Sequence, residues 1–418
     1  GFGYVVSHSA WLSNGFCNGD DSPLGYTYAG NWQRVFVGRH HAIFRFTQNY
    51  ERHCGPNNPA PTTLLPVTID WMFSTGRDHP LWAITYDMNA IAADFLDDDS
   101  RAPYGELEID GNGAADIEGV AWGDLWKFTT TSTPLTLNSS WIWNVANTIP
   151  YVKEWIASTN ATMGLVQTQT LAQQDAGAGR NPFFHDLTPR WNTTSASGNA
   201  GGTYLMPWQG DWPYQANSFN LGPATSNNNA RLTWGTQYGF LGQTSYASNT
   251  NTSAGNNGPF LPGWPKKSYS VHIVMGAHAG LPVEAQRTQV ETVQSLTVSA
   301  TIGTVATTGP AGVNRVGLPT DTITYAPSGY DPVYAALTFV TPARVLDANV
   351  AVASGTLRKP LLILRNYSGA YPATVRFNNT PLLLDVDYFP SLRVAANELW
   401  ITLNRDLSGA TNRIEVVP

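Results

Sequence analysis

The chain has 418 residues, a net charge of −7 and 13% charged residues against 12% Trp, Tyr and Phe, so its polar surface must come largely from Asn, Thr, Ser, Gln and Gly. This is the composition of an exported protein, and the length buries a sizeable core in one large β-domain with an appendage or in two or three average domains. No basic run exceeds Lys266–Lys267, which excludes a nucleic-acid partner, and no long apolar stretch is present to span a membrane.

The start, "GFGYVVSHS", has no charged-then-apolar leader and is expected to be a mature end with any leader removed; from the composition the protein is expected to be secreted or periplasmic. Cys17 and Cys54 lie in turn-rich polar segments. In an exported chain they are expected to pair in a disulfide, contributing ~4 kcal/mol on the chain-entropy account. Short segments rich in β-branched and aromatic residues then follow, bounded by Gly, Pro, Asn and Asp: "WQRVFVG", "AIFRFTQNY", "VTIDWMF", "LWAITYD", "ELEID" and "DLWKFTT" read as strands.

Ionisable groups gather at the ends of these strands, where catalytic groups are often held by a rigid scaffold. His40 and His41 stand in "VGRHHAIF". Arg77, Asp78 and His79 precede a strand that must begin at Leu81, because Pro80 cannot donate to a ladder. Asp87 closes that strand ~20 Å away at ~3.3 Å per residue, too far to act on the same bond as Asp78. "DFLDDDSRAPYGELEID" adds Asp97, Asp98, Asp99, Arg101, Tyr104, Glu106 and Glu108. Each of these groups also has a plain structural reading, as a surface ion pair or a hydrogen-bonded strand end.

"DGNGAAD" offers Asp110, Asn112 and Asp116 as oxygen ligands on a Gly-rich turn, which suits a structural calcium ion although Ala114 departs from the EF-hand spacing. Zinc is not expected, since no H-E-x-x-H cluster occurs, and no other cofactor is implied. Trp122 and Trp126 in "GVAWGDLWKF", and Trp208 and Trp212 in "MPWQGDWPY", lie among Gly, Asp and Gln. Such indoles stack on the apolar face of a sugar while the amides bond its hydroxyls. Trp141 and Trp143 alternate as core residues would.

Residues 147–158, "NTIPYVKEWIAS", compete for a short helix, with Asn147 or Thr148 as cap and Tyr151, Trp155 and Ile156 on one face. "MGLVQTQT", "YSVHIVM" and "VETVQSLTVSATI" read as further strands. Between them, residues 171–267 are loaded with Gly, Asn, Ser, Thr and Trp, the make-up of long functional or disordered loops. Near 318–332 the composition changes again. Tryptophan nearly vanishes, and hairpin turns at "FNNTP" and "RDLSGATN" separate alternating strands. No repeat of fixed period is present.

The expected fold is therefore all-β: a large β-sandwich or supersandwich over residues 1–325 that carries the chemistry, followed by a small C-terminal β-sandwich over 326–418. This layout resembles that of secreted carbohydrate-active enzymes with a galactose-mutarotase-like supersandwich. The resemblance lies in the arrangement alone, and no catalytic residue is carried over from it. The substrate expected is a polysaccharide or oligosaccharide.

The activity expected first is hydrolysis of a glycosidic bond, with a carboxylate from Asp78, Asp87 or Asp98, His79 or Tyr104 sharing proton transfer, and Arg77 and Arg101 orienting the partners. β-Elimination from a uronate would instead use a His or Tyr base (His40, His79 or Tyr104), with Arg77 or Arg101 stabilising the enolate. A non-catalytic glycan-binding or adhesin protein needs only the exposed Trp and Asn.

Overall fold

The structure is a computed structural model that describes residues 11–12, 15–16, 31–54, 58–87, 104–109, 119–122, 126–129, 151–168, 214–216, 230–235, 266–310 and 322–418. Within these the fold is all-β, as the sequence predicts. Its largest part is an antiparallel nine-stranded sheet in the order Asn31–Val37, His41–Cys54, Asn58–Ser74, Leu81–Asp87, Lys266–Ala277, Ala161–Gln167, Tyr151–Ile156, Gly119–Trp122 and Trp126–Thr129. A separate three-stranded sheet joins Tyr104–Ile109, Ala230–Gly235 and Tyr214–Ala216.

The C-terminal part forms two six-stranded sheets and a small two-stranded one, Thr308–Pro310 with Thr322–Thr324. One six-stranded sheet contains Leu296–Ile302, Leu346–Leu357 and Arg413–Val417; the other contains Ala336–Val340, Leu361–Arg365, Glu398–Leu403 and Tyr388–Arg393. As paired, this sandwich begins at Leu296, upstream of the composition change. In Leu346–Leu357 the burial alternates, with Leu346, Ala348, Val350 and Val352 inward, as a strand with one covered face requires. "LLILR" and "LWITL" are instead buried at nearly every position, because their sheet lies between two others.

Register shows which side faces which. Trp400 packs edge-on to Phe36 at 5.3 Å and to His41 at 5.8 Å, and Thr402 bonds His41, so this face of the middle sheet covers the first strands of the nine-stranded sheet. Leu399, Ile401 and Leu403 alternate with them and join Val350, Val375 and Ile414 in the C-terminal core. One buried cluster thus runs through both parts of the chain, including Phe36, Ile43, Met72 and Leu81 from the large sheet.

Two sequence expectations are corrected. Residues 151–156 form a strand where a helix was expected. Tyr151–Ile156 is paired on both sides, and Glu154 and Ile156 are buried along with Tyr151, Lys153 and Trp155, as in a strand covered on both faces. Conversely, the run read as one strand over 290–302 splits into the end of a helix, Pro282–Val293, and a strand from Leu296. Val283, Val290 and Val293 lie on one helical stripe; Val283 and Val290 pack on Tyr151, Val166 and Val274, and this burial outweighs the β-propensity of Thr292 and Val293. Pro282 opens the helix at a position where its missing N–H is harmless, and Glu284 favours the positive end. Glu284 also forms an ion pair with Lys153, tying the helix to the sheet.

Candidate functional site

The strand Leu81–Asp87 starts immediately after Pro80, as the sequence required, which leaves Arg77, Asp78 and His79 on the turn before it. That turn is held from several directions. Thr75 N–H donates to His40 O at 2.8 Å and Arg77 N–H to Ser74 O at 3.3 Å. Gly76 has φ +85°, and a Cβ there would meet the Phe389 ring at 2.8 Å, so the position needs glycine both for conformation and for space.

The neighbouring turn at Gly38 rests on the same strand through Ser391. His40 N–H and His41 N–H both donate to Ser391 Oγ, at 2.8 and 3.1 Å, and the hydroxyl lies 2.9 Å from His41 Nδ1. With its lone pairs occupied, the hydroxyl donates to Nδ1, so His41 carries its proton on Nε2 and gives it to Thr402 Oγ1 at 2.9 Å. The imidazole is therefore neutral. Burial, with smaller contributions from His40 and Arg77, lowers its pKa to about 3.

The sign of the resulting pH dependence follows. Below its ordinary pKa the unfolded His41 binds a proton that the folded one refuses until about pH 3. Stability is thus complete above about pH 6.5 and drains as pH falls, by ~3 kcal/mol at pH 4. Urea midpoints at pH 7 and pH 4 should show His41→Gln losing ~3 kcal/mol less over that interval than the unmodified protein. Equal losses would contradict the assignment.

Between the turn, the helix and the C-terminal sandwich lies a cleft of about 290 Å³. Its floor is apolar, with Val290, Val293, Leu337 and Leu357; its charged and imidazole groups are Arg77, Asp78, His79, His272, Arg358 and Lys359, and Gln286, Gln289 and Tyr330 add uncharged polar groups. Asp78 is half-exposed and spans two cations, with Oδ2 at 3.1 Å from Arg358 and Oδ1 at 3.5 Å from Lys359. Arg77 reaches inward and donates from Nη1 to Ala335 O at 3.2 Å and Tyr334 O at 3.4 Å. Burial lowers the pKa of His79, with Asp78 opposing and Arg77 and Arg358 adding to the shift, so its ring is uncharged at neutral pH. Burial also holds His272 well below its ordinary value, with Arg77 and His79 contributing.

The tight packing behind the cleft fixes these groups. Ser270 Oγ donates to Val333 O at 2.8 Å, Thr168 Oγ1 to Pro332 O at 2.7 Å, and Tyr330 Oη to Thr168 O at 2.7 Å. Tyr330 is thereby committed as a donor, and burial raises its pKa further.

A second depression, about 430 Å³, lies on the other side of the turn and brings His40 beside Arg77, Asp78 and His79. The His40 ring leans on Phe389 at 5.3 Å, and its Nε2 lies 2.7 Å from Asp385 Oδ1; Asp385 also pairs with Arg39. Four of the sequence-selected residues therefore converge.

The others do not enter this picture. Asp98, Arg101, Trp208, Trp212, Asp110, Asn112, Asp116 and Cys17 lie outside the described residues. Tyr104 is placed by its backbone in the three-stranded sheet, opposite Gly235. The backbone makes Trp122 and Trp126 register partners on adjacent strands, and Asp87 the register partner of Lys266 in the large sheet. Among the described residues no three His, Cys, Asp or Glu side chains group as a metal site, and no helix is long and apolar enough to cross a membrane.

Four residues of the site escaped the sequence reading. Arg358, Lys359 and Asp385 come from distant turns. His272 was visible only as a histidine in the strand run "YSVHIVM". Trp32, 60% exposed beside Phe46 on the outer face of the large sheet, is the most exposed tryptophan among the described side chains and was also passed over. No protein-family model matches the chain, and no curated protein is similar to it.

Proposed function

We propose that the protein is an exported carbohydrate-active enzyme that cleaves an acidic polysaccharide by β-elimination in the cleft over Arg77, Asp78 and His79. The observation that carries this reading is the charge make-up of the cleft: an uncharged histidine, His79, stands among the cations Arg77, Arg358 and Lys359. Hydrolysis by paired carboxylates, the first expectation from sequence, needs a second carboxylate across the bond. Asp78 is the only one among the described residues lining the cleft, and both of its oxygens face cations.

In the elimination, His79 takes the proton on the carbon that bears the substrate carboxylate. That electron pair becomes a carbon–carbon double bond, the glycosidic C–O bond breaks, and the leaving oxygen takes a proton from water. Arg358 and Lys359 attract the carboxylate and stabilise the charge that develops on it, a role worth several kcal/mol when donors are preorganised. Asp78 holds these two cations in place.

The test is a panel of polyuronates and neutral glucans, read for new chain ends and for the ultraviolet absorbance of a conjugated double bond. Both signals on a polyuronate are expected. Chain ends without absorbance mean hydrolysis, and retention of the polymer without new ends means a glycan-binding protein; either overturns the proposal.

A further inference from the structure

We propose that His272 is a ligand-contacting residue on the floor of the cleft, bonding a hydroxyl of a bound sugar acid whose carboxylate lies at Arg358 and Lys359. The inference rests on the acidic-sugar reading above and adds a residue and a recognition chemistry to it.

His272 stands on the inward face of the strand Lys266–Ala277, in register with Leu81 on one side and Val166 on the other. It is only 3% exposed, yet it lines the cavity. Apart from His79, the polar groups packed near it are committed elsewhere. Ser270 bonds Val333 O, Thr168 bonds Pro332 O, Tyr330 bonds Thr168 O, and Arg77 bonds the carbonyls of Tyr334 and Ala335. To the His272 ring itself no hydrogen bond is made among the described residues.

The His272 ring nitrogens are not among the described side-chain atoms sealed away without a partner, so they open onto the cavity, where a ligand can bond them. In an uncharged imidazole one ring nitrogen is an N–H donor and the other a lone-pair acceptor, on different edges of the ring. A hydroxyl can bond whichever of the two opens onto the cavity, since it can accept or donate; a carboxylate can only accept. The cations at the rim supply the other half of the recognition. A small molecule that carries hydroxyls and one carboxylate, with an apolar ring face for Val290 and Leu357, meets His272, the two rim cations and the apolar side chains.

The test uses the full chain labelled with ¹⁵N-histidine. The ring nitrogens of His272 are assigned by comparison with His272→Gln and followed during titration with glucuronate, with methyl glucoside and with acetate. Glucuronate should move the His272 resonances to saturation. Methyl glucoside, which lacks the charge, and acetate, which lacks the hydroxyls, should each need at least ~10-fold higher concentration, the equivalent of one lost charge-assisted hydrogen bond. His272→Gln should weaken glucuronate binding by a similar factor in calorimetry.

Glucuronate binding that leaves His272 unmoved, or no glucuronate binding at all, overturns the inference. The two proposals fail separately. If no polyuronate is cleaved but glucuronate still moves His272, elimination is wrong and the site stands. Cleavage with His272 unmoved has the opposite meaning.

Discussion

Replacing His79 by alanine is expected to lower the rate of polyuronate cleavage at least ~100-fold, the usual contribution of a positioned general base. The KM should change little, because the groups that hold the substrate carboxylate are Arg358 and Lys359. The fold should persist, since His79 sits on a half-buried turn and contributes no core packing. Asp78→Asn separates the two roles. With the carboxylate gone, Arg358 and Lys359 lose the partner that lies 3.1 and 3.5 Å from them, and KM should rise more than kcat falls. Near-normal turnover in His79→Ala would return the turn to the status of a polar strand end.

Trp400→Ala should be the most damaging single change to stability. The indole is 1% exposed, packs against Phe36 and His41, and meets Tyr334 at 4.9 Å. Its N–H donates to Glu398 Oε2 at 2.9 Å, and Arg393 lies over the ring. Truncation opens a cavity where the large sheet and the C-terminal sandwich share one core, at a cost of ~3–5 kcal/mol. Because Phe36 and His41 precede the turn that carries Arg77, this loss should also reduce activity below the unfolding midpoint. A urea transition shifted by less than ~1 kcal/mol would mean that the two parts do not depend on this contact.

The sequence carried the local features well and the distant ones poorly. Pro80 dictated where its strand begins, and the turn of Arg77, Asp78 and His79 was readable for the same reason. The strand class was legible from β-branched and aromatic residues flanked by Gly and Asn. Periodicity failed where two periods compete. Tyr151, Trp155 and Ile156 share a helical face, but Tyr151, Lys153 and Trp155 also share a strand face, and pairing on both sides decides for the strand. At Val290–Val293 the balance reverses, because an apolar surface on the sheet awaits the helical stripe. The cations of the cleft were out of reach. Arg358 meets Asp78 across 280 positions of sequence, and nothing local in "TLRKP" announces that contact.

The most direct measurement of the central claim is the mass of the fragments released from a polyuronate by the full chain. Elimination leaves each new non-reducing end lighter by one water than hydrolysis does, because the double bond forms without water being added. The account predicts fragments of the lighter mass, with their formation suppressed in His79→Ala. Fragments at the full hydrolytic mass, formed at the same rate by the His79→Ala protein, would contradict it.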